Sequence, residues 1–259
     1  MIHKLTFFTL IFLTITGCTN NKKHEKGFTI QTNDSLQFND KIDTRFIIQP
    51  SGILATKNPE YKITPLFKLN YDPNIKSYYL GTTDYYKSYE DYDYDPATKD
   101  KLNNWNQNII PGFRATYGYN WVNISVYNTK LKQQKELFKS PVLIKTLYYP
   151  SVTSDTLNGK PVTRNYMLLS VYDEDTNKDN KINLSDLRRF YLYDESGIFI
   201  KNIVPKNYNV FKSIYDKTSD YLYVYARFDE NKNGKSEDTE PIKVFYINLK
   251  NPEEVENVY

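Results

Sequence analysis

Residues 167–175 read MLLSVYDED and residues 221–229 read YLYVYARFD, two runs that superpose when the chain is shifted by 54 positions. The same shift lays RRFYLY (188–193) on IKVFYI (242–247). What repeats is therefore a strand, a twelve-residue acidic loop and a second strand. The runs are short, rich in aromatic and β-branched residues, and bounded by turn formers, which is the signature of strands. Set the loop aside and 42 residues of the repeat remain, within the roughly 40–45 of a four-stranded propeller blade. The expected class is all-β: a propeller-like array of short antiparallel strands, about four or five blades over 41–259. A β-sandwich, which also uses many short strands, is the alternative.

Working outward, the repeat units lie near 160–205 and 209–259 of what reads as a single domain. Residues 113–150 hold FRATYGYNW, VNISVY, QKELF and VLIKTLYY, expected to form one blade without an acidic insertion, and 44–82 to supply another. Asp194-Glu195-Ser196-Gly197 and Asn128-Thr129-Lys130 read as hairpin turns. Long amphipathic helical patterns are missing. Only 98–110 (TKDKLNNWNQNII) has the pattern of a short helix or loop, ended by Pro111-Gly112.

Composition closes off several chemistries. The 259 residues hold two histidines, His3 and His24, and one cysteine, Cys18, all near the N-terminus. A folded core built from the rest offers no His-dependent triad, no Cys nucleophile and no Cys/His zinc site. A disulfide within the chain is impossible. With 34 basic and 31 acidic residues interspersed, the net charge of +3 makes no phosphate-tracking stripe, so nucleic acid is not an expected partner.

The acidic loops themselves read DTNKDNKINLSD (175–186) and DENKNGKSEDTE (229–240). Both resemble the twelve-residue calcium loop of EF-hands, and the first also that of dockerin repeats. Calcium takes six to eight oxygens, and loop positions 1, 3, 5, 7, 9 and 12 supply them. The resemblance implies Asp175, Asn177, Asp179, the Lys181 carbonyl, Asn183 and Asp186 in the first loop. In the second it implies Asp229, Asn231, Asn233, the Lys235 carbonyl, Glu237 and Glu240. Position 6 must turn with positive φ, which Gly234 does freely and Asn180 tolerates. Ile182 fills position 8, where the family places an apolar residue; Ser236 departs from that pattern. The resemblance covers the loops only, because Pro241 directly follows position 12 and biases Glu240 away from a helix. Asp91, Asp93 and Asp95 imitate a third loop, but Pro96 at position 6 excludes it. Tyr85, Tyr86, Tyr89 and Tyr92 around it are candidate residues for binding a glycan or a peptide, or else strand-face tyrosines in a Tyr-rich chain.

At the start, MIHKLTFFTLIFLTITGC (1–18) is one Lys, an apolar run too short to span a bilayer, and Ile15-Thr16-Gly17-Cys18. This resembles the bacterial lipoprotein lipobox, which implies cleavage of 1–17 and a lipid on Cys18. Residues 18–40 read as a flexible tether. The Asn-, Lys- and Tyr-rich composition resembles lipoproteins of the Bacteroidota, and Asp34-Ser35-Leu36 and Asp155-Thr156-Leu157 look like that phylum's O-glycosylation tripeptide. The expectation is a calcium-binding, lipid-anchored protein of the outer membrane, acting as a binding or scaffold module. Its partners are the membrane, through the lipid, and a glycan or protein ligand. The competing class is an envelope hydrolase of glycosidase type using a carboxylate pair.

Overall fold

The computed structural model describes residues 26–30, 46–72, 75–81, 83–85 and 110–259, and these are all-β, with no helix among them. The chain begins with β1 (Gly27–Thr29), β2 (Ile48–Pro50), the long β3 (Tyr61–Asp72), β4 (Ser77–Leu80) and β5 (Thr83–Tyr85). It continues through β6 (Phe113–Gly118), β7 (Trp121–Asn128), β8 (Gln133–Glu136) and β9 (Leu143–Pro150). A small hairpin, β10 (Asp155–Leu157) and β11 (Lys160–Val162), precedes β12 (Tyr166–Tyr172). Then come β13 (Lys181–Asn183), β14 (Arg189–Asp194), β15 (Phe199–Asn202) and β16 (Tyr208–Asp216). β17 (Tyr221–Phe228), β18 (Ile242–Asn248) and β19 (Val255–Asn257) complete the order.

Three larger antiparallel sheets stack face to face. The first is β2-β3-β7-β8 with β4 also on β3, the central one is β15-β14-β12-β9-β6-β5, and the third is the meander β16-β17-β18-β19. The central sheet is covered on both faces, and its sequence shows why a continuous apolar run was required. All seven residues of YMLLSVY in β12 are buried. Because successive side chains point to opposite faces, Met167, Leu169 and Val171 meet Phe67, Trp121 and Ile124 of the first sheet. Tyr166 and Leu168 meet Leu222, Val224 and Ile247 of the third. In β17 the burial alternates instead, because only Leu222, Val224 and Ala226 face the central sheet.

The repeat seen in the sequence is a repeat of hairpins, β12 to β14 and β17 to β18, with one adjustment. Phe245 and Ile247 face the preceding sheet as Tyr191 and Tyr193 do, at the expected spacing of 54. On the entering strand Leu222, not Tyr221, takes the place of Met167, a spacing of 55. β12 therefore reaches Asp175 with one residue more than β17 uses to reach Asp229. A bulge does similar work in β9. Pairing steps from Thr146↔Ser170 to Ile144↔Val171, leaving Lys145 extra, and this puts Ile144 on the same face as Leu147.

The all-β expectation is met, and stacked antiparallel sheets are compatible with the sandwich alternative. Residues 113–150, expected as one blade, divide between two sheets. β6 pairs with β9 in the central sheet, whereas β7 pairs with β3 in the first. The chain changes sheets at Asn120, whose φ of 51° turns it and whose side chain is held there. Its Nδ2 donates to Asn70 Oδ1 at 2.7 Å, and its Oδ1 accepts from Gly27 N at 2.9 Å. The segment 98–109 lies outside the described residues.

Central and third sheets are tied by a buried ion pair. Arg164 and Asp220 are 3% and 2% exposed, and the guanidinium reaches both carboxylate oxygens, at 2.7 and 3.1 Å. Arg164 also donates to the carbonyls of Leu249 (2.6 Å) and Pro111 (3.1 Å), while Tyr215 donates to Asp220 at 3.1 Å.

Candidate metal centre

The two acidic loops adopt the same backbone path. Positions 4 and 6 are left-handed in both: Lys178 and Asn180 at φ 60° and 62°, Lys232 and Gly234 at 56° and 71°. Short polar side chains then fold inward onto backbone N–H groups. The position-1 carboxylate accepts from residues 5 and 6: Asp175 from Asp179 N (3.0 Å) and Asn180 N (2.9 Å), Asp229 from Asn233 N (3.1 Å) and Gly234 N (3.0 Å). Position 3 accepts from residue 5, through Asn177 and Asn231, each at 3.0 Å. Position 5 accepts from residue 7, Asp179 from Lys181 N at 2.9 Å and Asn233 from Lys235 N at 2.8 Å. Position 12 accepts from residue 9, Asp186 from Asn183 N at 2.9 Å and Glu240 from Glu237 N at 3.0 Å.

These bonds fold the oxygen-bearing side chains of each loop onto the loop's own backbone. Asparagine amides face carboxylates there: Asn231 and Asn233 donate to Glu237 at 2.9 and 2.7 Å, and Asn183 to Asp179 at 3.3 Å. The oxygens of the same amides accept from the backbone, Asn231 from Asn233 N, Asn233 from Lys235 N and Asn183 from Ser185 N at 2.7 Å, so each amide is oriented by the loop itself. Among the described residues no group of three or more His, Cys, Asp or Glu is gathered as a metal cluster; the donor sets here are mixed carboxylate, amide and carbonyl.

Position 12 distinguishes the loops. Glu240 is buried and its Oε1 has no hydrogen-bond partner, an expensive state for a carboxylate oxygen. Burial, then Asp229 and Glu237, push the Glu240 carboxyl above its ordinary range. Asp186 is 0% exposed and is raised mainly by burial, with Asp175 adding to it. Both of its oxygens are engaged, Oδ1 by Thr176 N at 2.9 Å and Oδ2 by Asn183 N. Second-loop residues therefore fit a divalent cation better than those of the first.

Position 8 is used differently in each loop. Ile182 sits in β13, paired with Phe28 of β1, and packs with Leu143, Tyr172, Phe28 and Ile30. Ile30 N donates to Asn180 O at 2.9 Å, so by antiparallel alternation the Lys181 carbonyl lies on the side away from β1. The described part of the expected tether is thus a strand against the first loop. Ser236 has a polar reason for departing from the apolar pattern, because its Oγ accepts from Asn209 Nδ2 at 2.7 Å.

The loops also touch one another, which the sequence did not reveal. Thr176 Oγ1 donates to the Gly234 carbonyl at 2.6 Å, and a Cβ on Gly234 would overlap the Thr176 carbonyl. The positive φ at Gly234 alone costs an L-residue roughly 1–2 kcal/mol. Gly234→Ala is therefore expected to lower the urea midpoint measured in chelator, whereas Asn180→Gly leaves it nearly unchanged; equal effects would contradict the interlock.

Of the remaining candidate residues, Tyr85 lies in β5, its backbone opposite Thr116. Tyr86, Tyr89, Tyr92 and Cys18 lie outside the described residues. No protein-family model matches the chain, and no curated protein matches it significantly.

Proposed function

We propose that the chain is a calcium-binding, lipid-anchored envelope protein in which two ions brace a stack of β-sheets that acts as a binding or scaffold module. The observation that carries the reading is the position-by-position identity of the two loop networks, with the buried Glu240 Oε1 left over at the last ligand position. Calcium titration with Asp229→Ala and Asp175→Ala tests it, each substitution removing one binding event.

The sheets are, in this proposal, propeller blades. The β9-β12-β14-β15 portion and the β16–β19 sheet are successive four-stranded meanders, each with its acidic loop between second and third strands. Leu222 following Met167 at 55 residues supports successive blades that face the same way around an axis. Anchoring rests on Ile15–Cys18, whose resemblance to a lipobox supports a lipid on Cys18; among the described residues no helix is long and apolar enough to cross a membrane. Thr19 after the Cys, in place of the Asp associated with inner-membrane retention, favours the outer membrane. Cys18→Ser is expected to leave an unprocessed or soluble protein. Membrane fractionation and processing identical to the parent would refute the anchor.

A further inference from the structure

We infer that Thr176 couples the two loops, so that a cation in one raises the affinity of the other; the inference rests on the calcium reading above. Thr176 is position 2 of the first loop and is no ligand in the twelve-residue pattern. Its N–H donates to Asp186 Oδ1 at 2.9 Å, and its hydroxyl oxygen lies 3.3 Å from the same atom. A hydroxyl has one hydrogen, and the shorter contact, 2.6 Å to the Gly234 carbonyl, takes it. The oxygen also accepts from Leu187 N at 2.8 Å. Gly234 N in turn donates to Asp229 Oδ2 at 3.0 Å. Two residues thus link the last carboxylate of one loop to the first carboxylate of the other.

The linkage is tight as well as continuous. With no room for a Cβ between Gly234 and Thr176, neither segment can shift without displacing its neighbour. Asn209 adds a parallel tie, accepting from Arg188 N at 2.7 Å just beyond the first loop and donating to Ser236 in the second at 2.7 Å. The position-8 strand of the first loop is not available for this purpose, because β1 occupies it. A cation that fixes Asp186 fixes Thr176, hence the carbonyl of Gly234 and, across its Cα, the N–H that orients Asp229. The second loop then has less ordering left to do when its own ion arrives.

The test is calorimetric titration of calcium into the full chain in detergent. Glu240→Gln leaves the first loop as the working site and Asp186→Asn leaves the second, giving the two single-loop constants. Coupling predicts that the product of the parent's two association constants exceeds the product of the single-loop constants by at least about fivefold. Thr176→Val should reduce that excess to about one, and Thr176→Ser, which keeps the hydroxyl, should restore it, an outcome that general loosening of the fold would not produce. A parent product equal to the single-loop product overturns the coupling while leaving calcium binding intact. An excess that survives in Thr176→Val overturns the role of Thr176. No calcium heat in the parent removes both the coupling and the calcium reading.

Discussion

Calcium at about 10 mM is expected to raise the thermal unfolding midpoint of the chain by roughly 3–10 °C for each loop that it fills, and chelator to abolish the rise. The magnitude follows from linkage. Loops of this type in extracellular proteins bind with Kd near 10⁻⁴–10⁻³ M, so 10 mM is about 10 to 100 times Kd, and a ligand specific to the folded state then adds about 1.4–2.7 kcal/mol. One kcal/mol moves the midpoint by about 2–4 °C in a chain of this size. In the folded state the Glu240 carboxyl is held above its ordinary range by burial, and Asp229 and Glu237 push it the same way. A cation offsets that repulsion. Asp229→Ala should remove more of the rise than Asp175→Ala, because in the second loop Glu240 Oε1 is buried without a partner whereas both Asp186 oxygens are engaged. Scanning calorimetry with and without calcium measures both, and a midpoint indifferent to calcium would contradict the account.

Asp220→Asn is expected to destabilise the chain by about 3–5 kcal/mol, the cost of leaving one member of a buried ion pair without its partner. Arg164 is 3% exposed. Without the Asp220 carboxylate its charge would face the Leu249 and Pro111 carbonyls and the ring of Phe113, over which the guanidinium carbon sits 5.7 Å from the centre. Asparagine is the informative substitution because Asp220 has a φ of 63°, which Asn tolerates better than Ala. The loss is then electrostatic rather than conformational. Replacing both members, Arg164→Met with Asp220→Asn, should recover part of the stability. The measurement is denaturant unfolding in saturating calcium; a loss below about 1 kcal/mol would mean the pair does not bind the sheets together.

The strands and the two loops were legible because their signals are local. Twelve-residue spacing, Gly234 and the aromatic runs are all readable along the chain. The turns at 194–197 and 128–130 were also found, and Asn128 Oδ1 caps the second by accepting from Lys130 N and Leu131 N at 2.9 Å each. The β10–β11 hairpin has its own local signal in Asn158-Gly159, its turn, with φ of 52° and 75°, but its strands are only three residues each and carry no aromatic or β-branched run. Sheet membership was not legible for 113–150, because pairing partners are set by non-local contacts: β7 seeks β3, some sixty residues earlier, and Asn120 redirects the chain. The spacing of 55 on the entering strand was hidden because aligning Asp175 with Asp229 fixes the loop but not the facing of the strand before it. Thr176 was invisible for a related reason. Position 2 of such a loop carries no ligand, and its partner, the Gly234 carbonyl, is a backbone atom 58 residues away.

The most direct test of the account is the stoichiometry of calcium binding by isothermal titration of the chelator-treated protein. The account predicts two calcium ions per chain, with Asp175→Ala and Asp229→Ala each retaining one. A titration with no saturable heat, together with unchanged terbium luminescence from the nearby tyrosines, would contradict it.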